Sequence, residues 1–150
     1  MELVFDIETD GLDATCIHCI VAIDENDKVY KWLSHDFTEG LNFLKQADKL
    51  IGHNIIGFDI PVIKKLTGVD LYNQEKVIDT LVMSRLFKPS REGGHGLESW
   101  GYRLGLNKGK HDDWSTYTPE MLSYCITDVR LNKRLYSFLK KEAMGFSAES

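Results

Sequence analysis

Four carboxylates sit where the chain otherwise reads as buried structure: Asp6 and Glu8 near the start, Asp59 in the first half and Asp128 near the end. An isolated ionised carboxylate costs far too much in an apolar setting to be kept there without compensation. A cluster of them is expected only around something positive. A pair of divalent metal ions is the natural candidate, and such pairs carry out phosphoryl-transfer chemistry.

Each acid has an ordinary reading when taken alone. Asp6 and Glu8 alternate with Phe5 and Ile7, so on a strand the two acids share one face and the two apolar residues the other. Like charges placed side by side raise each other's pKa. An Asp-x-Glu pair is also common on solvated edges, although the Leu3-Val4-Phe5 setting favours a buried strand end. Asp59 follows a glycine-containing loop, Gly52-His53-Asn54-Ile55-Ile56-Gly57-Phe58, and singly it reads best as a helix cap. Tyr124 and Asp128 are four apart, one turn of a helix and one face. Leu122, Cys125, Ile126, Val129 and Leu131 make that region apolar, but the sequence alone leaves the face of Tyr124 open.

Around these residues the chain reads as a mixed α/β fold, one sheet with helices packed on it. Strands are expected at Leu3 to Glu8, Cys16 to Ile23 and Val29 to Leu33, the last two joined by the polar turn Asp24-Glu25-Asn26-Asp27. Asp36 followed by Glu39 resembles a capping box for a helix to about Ala47. Leu50 to Gly52 reads as a short strand. Ile60 to Leu66 reads as a helix with Pro61 in its first turn and Gly68 as its stop. Val77-Ile78 is a short strand leading to a helix through Leu86, then a loop from Pro89 to Gly94 and a helix from Leu97 to Leu104 closed by Gly105. Thr118-Pro119-Glu120 opens a last helix to Ala143.

The 150 residues suit one domain, 1–150, with one core. Hydrophobic residues are 43% and no apolar run is long enough to span a membrane. The strand-like start is unlike a signal peptide, and three cysteines give no disulfide framework, so a reducing cytoplasm is expected. Cys16-Ile17-His18-Cys19 lacks the second ligand pair of a structural zinc site and reads as buried small residues in a strand. The net charge of −5 argues against nucleic acid. The exception is the stretch from Arg85 to Lys110, where Arg85, Lys88, Arg91, Arg103, Lys108 and Lys110 outnumber Glu92 and Glu98. A solvated surface is the better reading of that run, with a rim for phosphates as the functional one.

Taken together, Asp6-Ile7-Glu8-Thr9, then His53-Asn54-Ile55-Ile56-Gly57-Phe58-Asp59, then Tyr124-Cys125-Ile126-Thr127-Asp128 closely resemble the three signatures of the DEDD 3′–5′ exonuclease superfamily. The Tyr-x-x-x-Asp form marks its tyrosine branch, and the place where the other branch carries His is Ser123. Ile78-Asp79-Thr80-Leu81-Val82-Met83-Ser84-Arg85-Leu86 and His95-Gly96-Leu97-Glu98-Ser99-Trp100-Gly101-Tyr102-Arg103-Leu104-Gly105 are similar to the proofreading domain of short-tailed phage replicative polymerases of the T-seven type, in family A. The likeness covers nearly the whole chain, which looks shorter than that domain and carries no polymerase motif.

The resemblance implies a ribonuclease H-like fold, a mixed sheet flanked by helices. It implies two divalent ions, Mg²⁺ or Mn²⁺, held by Asp6, Glu8, Asp59 and Asp128, with Tyr124 aiming the attacking water. A free phenol's pKa of about 10 makes tyrosine a poor general base. It implies a single-stranded DNA 3′ end as substrate, with Thr9, His53, Asn54, Phe58, Arg103 and Lys108 as candidate contacts. A separate DNA polymerase chain is the possible protein partner, and the cytoplasm of an infected bacterial host is the setting if the gene is a phage's. An RNA-trimming enzyme of the same branch, a non-catalytic holder of 3′ ends and a polymerase-docking subunit are the alternatives. Trp100 is expected in the core, while Trp114 and Tyr117 are left between loop and base stacking.

Overall fold

The computed structural model describes residues 1–91, 93–105 and 113–145, apart from the side chain of Tyr102. Lys108, with Lys110 and His111, therefore lies outside the described residues. Five strands form one sheet in the order β3-β2-β1-β4-β5. They are β1 (Glu2–Thr9), β2 (Ile17–Asp24), β3 (Val29–Trp32), β4 (Lys49–Gly52) and β5 (Val77–Asp79). β1, β2 and β3 pair antiparallel, while β4 lies parallel to β1 and β5 parallel to β4. The mixed α/β expectation holds.

Alternation along β1 divides the molecule. Leu3, Phe5 and Ile7 face one core with Ile20, Ala22 and Leu50, closed by Leu41 and Leu44 of helix α1 (Phe37–Lys45) and Val62 and Ile63 of helix α2 (Ile60–Thr67). Val4 faces the other, with Cys19, Val21, Ile23 and Ile51 beneath Cys125, Val129 and Tyr136 of helix α5 (Pro119–Ala143). Asp6 and Glu8 belong to this second face, the one α5 covers. Helices α3 (Thr80–Phe87) and α4 (Leu97–Leu104) pack on the rest of α5, with Trp100, Leu135 and Leu139 as a third cluster. Burying a leucine such as Leu135 stabilises the fold by about 2 kcal/mol, which holds α5 in register over the sheet.

Local signals succeed where they depend on backbone geometry. Gly68 and Gly105 both close their helices in the left-handed conformation. Asp27, φ +67°, turns the β2–β3 hairpin while the Asp24 carboxylate accepts from Asn26 N and Lys28 N. The capping signals fare worse. Asp36 precedes α1 without a side-chain capping bond, because its Oδ1 accepts from Leu33 N at 2.6 Å. Thr118 precedes α5 with no side-chain capping bond either. Cys16 is exposed, one residue before β2 begins, and not part of the buried strand expected there.

The basic stretch is partly consumed by packing. Arg91 is nearly buried and binds Glu142 through two bonds of 3.1 and 2.7 Å, with a third to Ser84 O. Its guanidinium and that of Arg103 both stack on the Trp100 indole, at 4.7 and 4.4 Å. Trp100 is therefore a core residue, as expected. The Arg91 bond holds the Glu142 carboxyl below its usual range. Arg91→Ala should lower the unfolding free energy by about 3 kcal/mol near neutral pH. A carboxyl with a depressed folded pKa contributes above its unfolded pKa and loses that contribution as pH falls through the lower value. The gap between wild type and variant should therefore narrow in acid. Urea unfolding at neutral pH and at about pH 3 checks this.

Candidate active site

Three separated segments meet at one end of the sheet. β4 pairs with β1 only from Glu2 to Val4, so β1 runs on past it and the Ile7 N–H turns toward the β4–α2 connection. Asp59 takes that N–H through Oδ2 at 3.2 Å. Asp59 is 3% exposed and makes no capping bond to α2. The helix-cap reading of this residue thus gives way to a tertiary one. From the opposite side α5 lays Asp128, 4% exposed, over the end of β1.

The connection that carries Asp59 is a five-residue π-helical turn, Ile55–Asp59. Its entry residue, Asn54, is left-handed at φ +60°, a conformation Asn tolerates better than most. A Cβ at Gly57 would lie 2.5 Å from Asn54 Oδ1, so any larger residue there would turn the Asn54 side chain aside. Asp79, at the end of β5, fixes the turn: its carboxylate accepts from Asn54 N (2.8 Å), Ile56 N (3.0 Å) and Leu81 N (2.9 Å). Beside it, the Thr80 hydroxyl donates to Gly52 O and accepts from Asn132 Nδ2 at 2.8 Å. The hydroxyl has one proton, so the 2.9 Å contact with His53 is made with Nδ1 as donor. β4, β5, the turn and α5 are thereby tied together behind the acids.

Asp6, Glu8, Asp59, Tyr124 and Asp128 all line one cleft of about 400 Å³, a size within the range of small-ligand sites. His53, Asn54 and Phe58 line it too. Thr9 lies behind the rim, its hydroxyl donating to Gly11 O at 2.9 Å, which folds back the loop carrying Leu12. Arg103 is placed elsewhere, on α4, bonded to Gly94 O and stacked on Trp100. Four cleft residues were not anticipated: Ile7, Leu12, Leu97 and Asn132. Leu12 is 92% exposed and presents an apolar side chain at the cleft. Trp114, left open by the sequence, lines the cleft edge-on to Tyr124 with ring centroids 5.3 Å apart. Tyr117 instead packs against the core under α5.

The electrostatics are those of crowded anions. Burial, then the charges of Asp6 and Asp128, push the Glu8 carboxyl up to about 11. Burial and then the Asp6 charge hold the Asp59 carboxyl well above the usual range, opposed by backbone hydrogen bonds, that of Ile7 N first and that of Asp59's own N–H second. Both share hydrogen bonds with Asp6. Protons here stand where positive charge is required. The ligand atoms of Asp6, Glu8 and Cys125 lie within 4.8 Å of one another, and a set of carboxylate oxygens suits Mg²⁺ or Mn²⁺. The residues present fit a divalent-metal centre, which Asp6, Glu8, Asp59 and Asp128 could hold.

Residues 3–118 match the RNase_H_2 family of the RNase H superfamily. The chain is 30% identical to the DNA-directed DNA polymerase of Enterobacteria phage T3 and 29% identical to that of Escherichia phage T7. Both alignments run over 194 positions and take in 98% of this chain. The chain spans only 28% of the length of these relatives. Among solved structures, Brucella melitensis NrnC bound to pGG superposes with a TM-score of 0.75 at 20% identity, over 99% of this chain and 76% of that one. The family B DNA polymerase of Pyrobaculum calidifontis gives 0.69 at 15%, over 95% and 26%.

A carboxyl whose folded pKa is raised contributes fully below its unfolded pKa and loses that contribution as pH climbs toward the folded value. For Glu8 that window runs from about 4.5 to about 11. In chelator, the melting temperature should therefore fall as pH rises from about 5 to about 9, and Mg²⁺ or Mn²⁺ should remove most of the fall. Identical pH slopes with and without dication would contradict the metal-centre assignment.

Proposed function

The chain belongs to the RNase H superfamily, and on that premise we propose that it is a metal-dependent 3′–5′ exonuclease acting on single-stranded DNA 3′ ends. Residues 1–150 are taken as one exonuclease domain that releases nucleoside 5′-monophosphates in phage replication, by proofreading or trimming. The observation that carries this reading is the convergence of Asp6, Glu8, Asp59, Asp128 and Tyr124 on a single cleft.

When bound, a pair of Mg²⁺ or Mn²⁺ ions supplies an acidified attacking water and charge to offset the departing oxygen. The chain's own residues do the rest. Asp6, at the centre of the acids and hydrogen-bonded to both Glu8 and Asp59, would hold the ions together with Glu8, Asp128 and Asp59. The Tyr124 hydroxyl orients the attacking water, its ring steadied by Trp114. Hydrolysis joins the water oxygen to phosphorus and breaks the bond to the 3′ oxygen, which takes up a proton. Leu12, Phe58 and Trp114 give the cleft apolar surfaces on which an unpaired base can rest. His53 and Asn54 lie on the side fixed by Thr80 and Asp79. DNA is preferred over RNA as substrate because the relatives at 29–30% identity are DNA polymerases. A separate polymerase chain is a fitting partner for the same reason. Among the described residues no helix is long and apolar enough to cross a membrane.

Matched DNA and RNA oligonucleotides labelled at either end should be shortened from the 3′ end in Mg²⁺ or Mn²⁺, DNA faster. Loss from the 5′ end, or undiminished cutting in chelator, would refute the proposal, and faster RNA loss would reassign the substrate. Asp6→Ala should cost roughly a thousandfold or more in rate with the fold retained. Tyr124→Phe should cost roughly ten- to a hundredfold, the penalty of a poorly aimed water. Asp79→Ala touches no substrate. It should nevertheless lower stability by about 2 kcal/mol, by leaving backbone donors unmet, and slow cleavage by releasing the turn that bears Asp59.

A further inference from the structure

Cys125 gives the carboxylate site a donor of a different kind. It sits one turn before Val129 on the buried face of α5, with no exposed surface. Its thiol donates to Asp6 O and Asp6 Oδ2, both at 3.7 Å. Cys19, across the sheet from Glu8 on β2, is hydrogen-bonded to the same sulfur. The sulfur therefore lies directly behind the acid at the centre of the cluster, and it forms with Asp6 and Glu8 the group whose ligand atoms fall within 4.8 Å of one another.

Distances sort the ions such a group can hold. With a metal–sulfur bond of about 2.3 Å and a metal–oxygen bond of about 2.1 Å, the 3.7 Å separation of Cys125 Sγ and Asp6 Oδ2 subtends about 115° at the ion. An ion so placed can be tetrahedral without moving either donor. Mg²⁺ demands octahedral oxygen coordination and has no use for the sulfur. Zn²⁺ accepts a tetrahedral set of mixed thiolate and carboxylate donors, and at such sites it outbinds Mn²⁺.

We propose that the site also takes Zn²⁺, through the Asp6 and Glu8 carboxylates and the Cys125 thiolate, and that this ion excludes the catalytic dications and stops turnover. The thiol proton is released to solvent as the metal–sulfur bond forms. Binding of the ion stands on geometry alone, while the block to turnover rests on the exonuclease reading.

Co²⁺ reports a thiolate ligand directly, through a sulfur-to-cobalt charge-transfer band in the near ultraviolet and strong visible bands when tetrahedral. The titration is made in Cys16→Ala protein, because exposed Cys16 lies 4.0 Å from His18 Nδ1 and offers a rival soft pair. The band should appear there with one ion per chain, persist when Cys19→Ala is added and vanish when Cys125→Ala is added. In wild type against Cys125→Ala, at fixed Mn²⁺, the Zn²⁺ concentration that halves oligonucleotide cleavage should rise roughly tenfold or more. If Cys125→Ala does not fold, as judged by circular dichroism, Cys125→Ser keeps the side chain's size and gives the same readouts. Absence of the band in folded Cys16→Ala protein, its survival without Cys125, or equal Zn²⁺ inhibition of both proteins would overturn the inference. The cobalt band without nuclease activity in any dication would sink the exonuclease reading and leave the ion site standing. Full activity without the band would do the reverse.

Discussion

Repulsion among crowded carboxylates is the constraint on which the rest of this structure depends. Asp6, Glu8, Asp59 and Asp128 line one cleft, and two of them hold their protons far above the range of free carboxyls. No fold keeps such a cluster for stability's sake, since removing charges or spreading them would lower its free energy. The surrounding structure accordingly works to hold the acids in place. α5 is fixed by two cores. The π-helical turn is fixed by Asp79, and Thr80 ties β4, β5 and α5 through Gly52, His53 and Asn132. The cost of the cluster is met by packing far from it and is recovered when dications arrive.

Strain and rigidity are distributed to match. The backbone departs from ordinary geometry where Asp59 must be delivered: a left-handed Asn54 and a wide helical turn. These are unfavourable local choices held by buried hydrogen bonds, the usual signature of a positioned functional group. Leu12, by contrast, is left almost fully in water at the rim. Its loop is tied by the Thr9 hydroxyl on Gly11 O, by the Asp10 carboxylate accepting from Thr15 and Cys16, and by Lys65 on Asp13 and Ala14 O, so the apolar tip is presented on a fastened loop.

Much of this was legible in the chain, for definable reasons. Strand alternation placed Asp6 and Glu8 on one face, helical spacing put Tyr124 in step with Asp128, and Gly68 and Gly105 ended helices where a left-handed residue was required. Such features depend on neighbours in sequence. Asp59 reads as a cap because sequence cannot show that Ile7 N–H stands unclaimed by β4. Asp79 reads as a strand end before a helix, and two of its three backbone acceptances depend on a turn more than twenty residues away. The capping box at Asp36 fails because a nearer backbone donor, Leu33 N, takes the carboxylate. Arg103 is a candidate substrate contact by the resemblance, and the structure stacks its guanidinium on the Trp100 face. The place of Cys125 behind Asp6 follows from the register of α5 over β1 and from nothing local.

Proton release on metal binding tests the central claim most directly. Mn²⁺ titrated calorimetrically into the metal-free protein at neutral pH, in two buffers of different ionisation heat, should show tight binding. It should also displace about two protons, those of Glu8 and Asp59, with both signals lost in Asp6→Ala. A heat that is the same in both buffers, or Mn²⁺ binding undisturbed by Asp6→Ala, would mean that the carboxylates are gathered for some purpose other than holding dications.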